Sequence, residues 1–155
     1  MKYVCALITV EDVAVSRNFY EIVLGQKIAN DYGENVAFEG GFAIHKKTHF
    51  EKLTGRSALR EANNFELYFE ENDLKPIEDL LVARGTEFIH RIIEQPWKQR
   101  VMRFYDPDRN IVEIGESLEF LAKRLYREGM TVDEISRITY IEIEALKIML
   151  VERSE

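Results

Sequence analysis

The stretch Arg103–Ser117, RFYDPDRNIVEIGES, decides how this chain is read. A turn, Asp106-Pro107-Asp108-Arg109-Asn110, precedes a short β-branched segment, Ile111–Ile114, whose composition suits a strand buried on at least one face. Glu113 lies inside that segment. A carboxylate there is costly to bury alone, or it stays protonated, so the strand either turns it to water or presents it to a site. Strand alternation puts Glu113 on one face with Ile111 and Gly115, and leaves Val112 and Ile114 for the other, against a helix.

Working outward from this strand, the second half of the chain reads NFELYFE (Asn64–Glu70) as a strand and LKPIEDLLVARG as a helix that Asn72-Asp73 would cap and Gly85 would end. The strands TEFIHRI, QRVMRFY and NIVEIGE follow. The first half has the same order. YVCALITV (Tyr3–Val10) alternates as a strand. VAVSRNFYEIVL puts Val15, Phe19, Ile22 and Val23 on one helical face, and Gly25 closes that helix. QKIAND, NVAFEG and FAIHKK are then strands, with turns at Tyr32-Gly33-Glu34 and Gly40-Gly41. Strand–helix–strand–strand–strand thus occurs twice, with Thr48–Asn63 as a polar connection. A repeat of this length fixes the architecture before any motif does, and it argues against a ferredoxin-like domain.

Composition bounds the rest. In 155 residues, with 46% hydrophobic and 32% charged side chains, the expectation is a globular fold without disulfide support. The single cysteine, Cys5, allows neither an internal disulfide nor a cysteine-based zinc cluster, and suits a reducing cytoplasm. A formal net charge of −7 argues against a nucleic-acid or anionic-membrane surface. No apolar run reaches the roughly 18 residues of a membrane span.

LITVEDVAVSRNFYEIVLGQKI resembles the opening, and FYDPDRNIVEI the closing strand, of the glyoxalase / bleomycin-resistance / extradiol-dioxygenase (vicinal oxygen chelate) superfamily. The resemblance covers about residues 1–116, with Arg109 in place of the usual turn glycine. It implies an α+β fold of two βαβββ modules, about 1–50 and 63–116, whose curved sheets form a pocket. Residues 117–155 would be a C-terminal helical extension.

In the enzymes of that superfamily, residues from the first and last strands of each module hold a metal. Carried over position by position, the resemblance gives Glu113 the usual carboxylate position and the candidate catalytic role. Cys5 takes the first-strand position, where a nitrogen or oxygen donor is usual. His45 falls near another ligand position, and Asn64 or Glu66 stands where many members have histidine. The two-histidine-plus-carboxylate pattern of oxygen-activating iron enzymes is absent. His45, Glu66 and Glu113 are the candidate metal set, for one divalent ion; the same groups suit a cationic or hydrogen-bonding ligand without metal. Cys5, His45, Glu66, Tyr68, Trp97 and Arg103 are the candidate ligand-binding residues. Trp97, the only tryptophan, either walls a pocket or caps the core edge. An arginine such as Arg103 is the metal-free partner for Glu113.

Beyond Ser117, LEFLAKRLYREG puts Leu118, Leu121 and Leu125 on one helical face and stops at Gly129. Thr131 with Glu134 forms a capping box, and Thr139 with Glu142 suggests a second, so the helices VDEISRI and IEIEALKIMLVER are expected. The pattern resembles a helix-turn-helix. However, Glu142, Glu144 and Glu152 against Lys147 and Arg153 make its last helix a poor reader of DNA. Ile141, Leu146, Met149 and Leu150 are expected to pack on the domain or on a partner subunit.

Three functions remain open at this point. One is a protein that holds a small molecule in an enclosed pocket with a degenerate metal site, with or without metal. The second is a divalent-metal-dependent lyase or dioxygenase of the glyoxalase type. The third is a ligand-sensing interaction module that uses the tail. A homodimer is expected, with no nucleic-acid or membrane partner.

Overall fold

The computed structural model describes residues 1–151. The chain folds as two compact units. The first comprises Met1–Phe65 together with Tyr105–Asn110; the second comprises Glu66–Phe104 and, among the described residues, 111–151.

In the first unit, β1 (Ala6–Val10), β2 (Ile28–Asp31), β3 (Asn35–Phe38) and β4 (Phe42–Lys46) form one sheet in the order β1-β4-β3-β2. β1 and β4 are parallel, in register from Ala6↔Phe42 to Val10↔Lys46, and the other pairs are antiparallel. β1 starts later than the sequence suggests, which leaves Tyr3–Cys5 ahead of the strand. Helix α1 (Val13–Asn18) follows, started by Asp12, whose carboxylate accepts from the Ala14 and Val15 N–H groups. It runs into a π-helical turn, Phe19–Val23, closed by the Leu24 N–H on the Phe19 carbonyl at 3.0 Å.

The buried face of this helix is Ser16, Phe19, Tyr20 and Val23, whereas Val15 and Ile22 are 51% and 62% exposed. That corrects the face expected from hydrophobic spacing, and the reason lies in the closing turn of the chain. The Tyr20 hydroxyl donates to Asp106 at 2.7 Å and the Ser16 hydroxyl to Asp108 at 2.7 Å. Asp108 also accepts from the Glu11 N–H at 2.8 Å. Polar side chains are drawn inward because acceptors wait there. Burial, then the Asp106 charge, pushes the Tyr20 hydroxyl pKa well above its ordinary value. Burial raises the Asp106 carboxyl, against the donors Asn110 and Tyr20. Around Tyr20 the core is aromatic: Phe38 and Phe42 stack at 4.6 Å, and Tyr20 meets Phe42 edge-on at 5.1 Å.

The turn explains the unusual Arg109. Its backbone has φ +67°, the left-handed region that a glycine enters without cost. Its guanidinium lies 4.4 Å over the Tyr105 ring and pairs with Glu61, contacts a glycine lacks. The segment after β4 is not only a connection: Lys47–Thr54 is a helix, α2, ended by Gly55 at φ +65°.

In the second unit, β5 (Glu66–Glu70), β6 (Phe88–Glu94), β7 (Arg100–Tyr105) and β8 (Ile111–Gly115) repeat the topology as β5-β8-β7-β6, with β5 and β8 parallel. Helix α3 (Leu74–Ala83) packs on β6. Its N-cap Asp73 makes no side-chain cap; Asn72 instead accepts from the Ser117 hydroxyl at 2.9 Å. Glu78, buried on α3, accepts the Ile92 N–H at 3.1 Å, where the β6–β7 register is irregular. This gives a displaced ladder group its acceptor.

The C-terminal helices α4 (Leu118–Arg127), α5 (Val132–Thr139) and α6 (Ile143–Leu150) enclose a core of Leu121, Ala122, Leu125, Ile135, Ile141 and Leu146. Thr131 and Glu134 form the capping box. Thr139 and Glu142 do not: the Thr139 hydroxyl bonds back to the Ile135 carbonyl at 2.7 Å, and α6 starts without a side-chain cap. The end expected for the last helix, including Glu152 and Arg153, lies outside the described residues. No helix among the described residues is long and apolar enough to cross a membrane.

Candidate functional site

Cross-strand register builds the site on one face of the second sheet. Tyr68 pairs with Glu113 and Glu66 with Ile111. Alternation along β8 then places Glu113 with Ile111 and Gly115, while Val112 and Ile114 are buried on the other face. Glu113 is 5% exposed, and the guanidinium of Arg103, from β7, pairs with it. The same guanidinium donates from Nε to Glu66 at 2.9 Å, and its Nη1 lies 3.3 Å from His90 Nε2 on β6. Of the two partners expected for Glu113, the arginine is the one in contact. It is shared between a buried carboxylate and an accessible one.

Beside this cluster runs a chain of polar contacts. The Trp97 indole N–H donates to Gln99 Oε1 at 2.9 Å. The Gln99 amide donates to the Tyr68 hydroxyl at 2.9 Å and to the Glu116 carbonyl at 2.6 Å. The Tyr68 hydroxyl donates to Glu70 at 3.2 Å. Burial, the largest influence, raises the Tyr68 pKa; Gln99 opposes this and Glu70 adds to it. Gly115 makes the arrangement possible. A Cβ there would lie 3.1 Å from Gln99 Nε2 and Val101 Cγ1 and 3.3 Å from the Tyr68 ring, closer than ordinary contacts. Tyr68 is 46% and Trp97 36% exposed, so both rings offer area to a ligand.

The remaining candidates lie in the first unit. Cys5 is a free, half-buried thiol ahead of β1. His45 is buried at the end of β4, its Nε2 2.9 Å from His49 Nδ1. Glu34 lies 3.4 Å from that His49 nitrogen. Burial, then the His49 ring, lowers the His45 pKa, while Glu34 opposes them. Within its own unit, each donor of the metal set implied by the resemblance already has a protein partner. Glu66 and Glu113 are both turned to Arg103, and His45 to His49. Among the described residues no three His, Cys, Asp or Glu side chains converge as a metal site.

Sequence reasoning sets His49, in the charged linker, and His90, at the end of an outer strand, aside as ligands, and does not single out Gln99. Gln99 was within reach, because 99, 101 and 103 share a face of one strand. His90 is brought to Arg103 only by the β6–β7 pairing, and His49 to His45 only by the unforeseen helix α2.

Residues 3–119 match the family described as a glyoxalase-like domain. No curated protein matches the chain. Among solved structures, a protein of unknown function from Agrobacterium tumefaciens is 40% identical, with TM-score 0.68, over 76% of this chain and 95% of that one. A glyoxalase-related enzyme from Fulvimarina pelagi is 21% identical, with TM-score 0.62, over 72% of this chain and 86% of that one. A lactoylglutathione lyase from Agrobacterium tumefaciens is 18% identical, with TM-score 0.59, over 72% and 90% respectively. The last two likenesses bear on the fold alone.

Proposed function

The chain belongs to the glyoxalase-like domain family, and from that premise we propose that it holds a small molecule on the accessible face of the second sheet without a resident metal. The observation that carries this reading is the placement of Arg103. The carboxylate at the family's ligand position, Glu113, is neutralised by a guanidinium that also engages Glu66. Arg103 fixes both carboxylates, and Glu70 adds a further negative charge on the same face. Tyr68 and Trp97 supply flat apolar area with a polar tip each. With Glu66, Glu70 and Glu113 against Arg103, the face favours a flat ligand carrying positive charge or several hydrogen-bond donors. Acid–base chemistry through Glu113 would first require Arg103 to move, so binding is the primary role in this reading.

The assembly we propose is a homodimer in the cytoplasm, a compartment in keeping with the free thiol of Cys5. Light scattering that gives a monomer at high micromolar concentration would count against the dimer. Nucleic acid is not expected as a partner, since Glu142 and Glu144 begin the last helix.

The test is metal analysis of the purified protein before and after chelation, combined with titration of a planar cationic probe, berberine. Binding that survives chelation and weakens in Glu66→Gln is the expected result. A stoichiometric divalent ion whose removal abolishes binding would overturn the reading.

A further inference from the structure

We infer that Arg124, in the C-terminal helix α4, is a positioning residue for the Trp97–Gln99–Tyr68 edge of the proposed ligand face; the ligand-binding part of this inference rests on the function proposed above. The C-terminal helices lie largely beyond the stretch that matches the family, which ends at residue 119. Arg124 nevertheless reaches into the loop that carries the only tryptophan.

Its Nη2 donates to the Lys98 carbonyl at 2.6 Å, in the turn between Trp97 and Gln99. Within the turn the Lys98 N–H closes on the Gln95 carbonyl, and the Lys98 carbonyl takes its donor from Arg124. Lys98 is in the left-handed region at φ +73°. The same guanidinium holds Glu116 through Nη2 at 2.9 Å and Nε at 3.2 Å. Glu116 in turn accepts the Arg100 N–H at 3.1 Å, and its backbone carbonyl accepts from the Gln99 amide at 2.6 Å.

Arg124 therefore grips both sides of Gln99: the residue before it directly, and the carbonyl its amide uses through Glu116. Gln99, Glu116 and Arg124 are 6%, 2% and 7% exposed. At that burial a lost hydrogen-bond partner is costly to replace. Gln99 spends its carbonyl oxygen on the Trp97 indole and its amide on the Tyr68 hydroxyl. A shift at Arg124 thus travels two hydrogen bonds to both rings. Nη1 is tied to Glu128 at 3.2 Å, which fixes the guanidinium to its own helix. A lysine at 124 keeps the charge beside Glu116 but lacks the fork that reaches Lys98 as well.

Two kinds of variant separate positioning from general support. The pair Glu116→Gln with Arg124→Met removes both buried charges together, so neither is left alone. Arg124→Lys keeps the ion pair and removes the fork. Far-UV circular dichroism identifies the folded variants. Trp97 fluorescence, measured without any ligand, then reads the position of the ring directly, and Gln99→Leu shows the signal of a released indole. The expected result is that the folded variants give the red-shifted emission and higher acrylamide quenching of Gln99→Leu. Their Kd for berberine should rise roughly tenfold, the equivalent of one aromatic contact. Wild-type emission and quenching in a folded Arg124→Lys protein would overturn the inference. So would wild-type values in the paired variant. Because the fluorescence arm uses no ligand, it stands or fails independently of whether berberine binds.

Discussion

Arg103→Met is the sharpest perturbation of the proposed site. It leaves Glu113, 5% exposed, without the guanidinium that pairs with it. The part of the cost due to the unpaired charge is bounded by proton uptake, because the carboxyl escapes that penalty by becoming neutral; the lost Glu66 bond adds a smaller, pH-independent part. With an ordinary glutamate pKa of about 4.3, holding a proton at pH 7 costs about 2.7 units at about 1.36 kcal/mol each, or roughly 3.7 kcal/mol. At pH 5 the same bound is only about 1 kcal/mol. The sign follows from linkage. In the variant the folded-state pKa of Glu113 rises above its unfolded value, so the native state binds the extra proton. Stability relative to wild type falls as pH rises between those two values.

Glu113→Gln is different. It leaves Arg103 a quarter exposed and still bonded to Glu66, so the loss should be nearer 1–2 kcal/mol, roughly that of a charged hydrogen bond, and insensitive to pH in this range. The double variant should recover part of the Arg103→Met loss. Urea denaturation at pH 7 and pH 5 measures all four proteins. The reasoning fails if Glu113→Gln costs as much as Arg103→Met at pH 7, or if the Arg103→Met penalty is the same at both pH values.

Further expectations follow from other contacts. Tyr20→Phe should lose about 1–2 kcal/mol by urea denaturation, since a fully buried hydroxyl gives up its bond to a carboxylate. Asp106 keeps its donors from Asn110 and the Asp108 backbone, which holds the loss to that scale. Thr131→Ala should cost about 1 kcal/mol by removing a helix cap. Bonds from Thr131 hold the Glu134 carboxyl below its ordinary pKa. Its contribution is therefore complete above that ordinary value and is lost as pH falls through the lowered one, which thermal melts of wild type and Thr131→Ala across acid pH would register. His45 should titrate below the ordinary histidine value of 6.5 by NMR, and His49→Gln should move it upward. Because the folded pKa is the lower one, stability linked to His45 is present above 6.5 and declines as pH falls toward the folded value.

The repeated βαβββ order was legible because it rests on local signals: alternation in QRVMRFY and NIVEIGE, and glycines 25 and 85 at positive φ just past their helices. What escaped the sequence depends on distant partners. Hydrophobic spacing chose Val15 and Ile22 for the buried face of the first helix, since nothing nearby announces that Ser16 and Tyr20 meet carboxylates 92 and 86 residues away. Helix α2 was missed because Lys47–Thr54 is polar and carries no cap at its start. For Glu113 the sequence offered a metal or an arginine, and composition cannot choose between them. The Arg103 contact itself depends on how β7 and β8 lie side by side, which no local signal in the sequence announces. Arg124 sits in a segment that reads as one more amphipathic helix, and its hold on Lys98 spans 26 residues.

The turn Tyr105–Asn110 also bears on how this chain can be divided. By sequence it belongs to the second repeat, yet it folds as part of the first unit, where Asp106 and Asp108 receive Tyr20, Ser16 and the Glu11 N–H. A fragment cut at the repeat boundary, near residue 63, would carry a complete four-stranded sheet and its helix. It would lack the acceptors that its most buried hydroxyls require. The reciprocal fragment would carry two aspartates with no donors from α1. The halves of the repeat are thus not separable as folding units, although their strand order is the same. An isolated first repeat would need residues 105–110 grafted back, or Tyr20→Phe with Ser16→Ala to remove the orphaned donors.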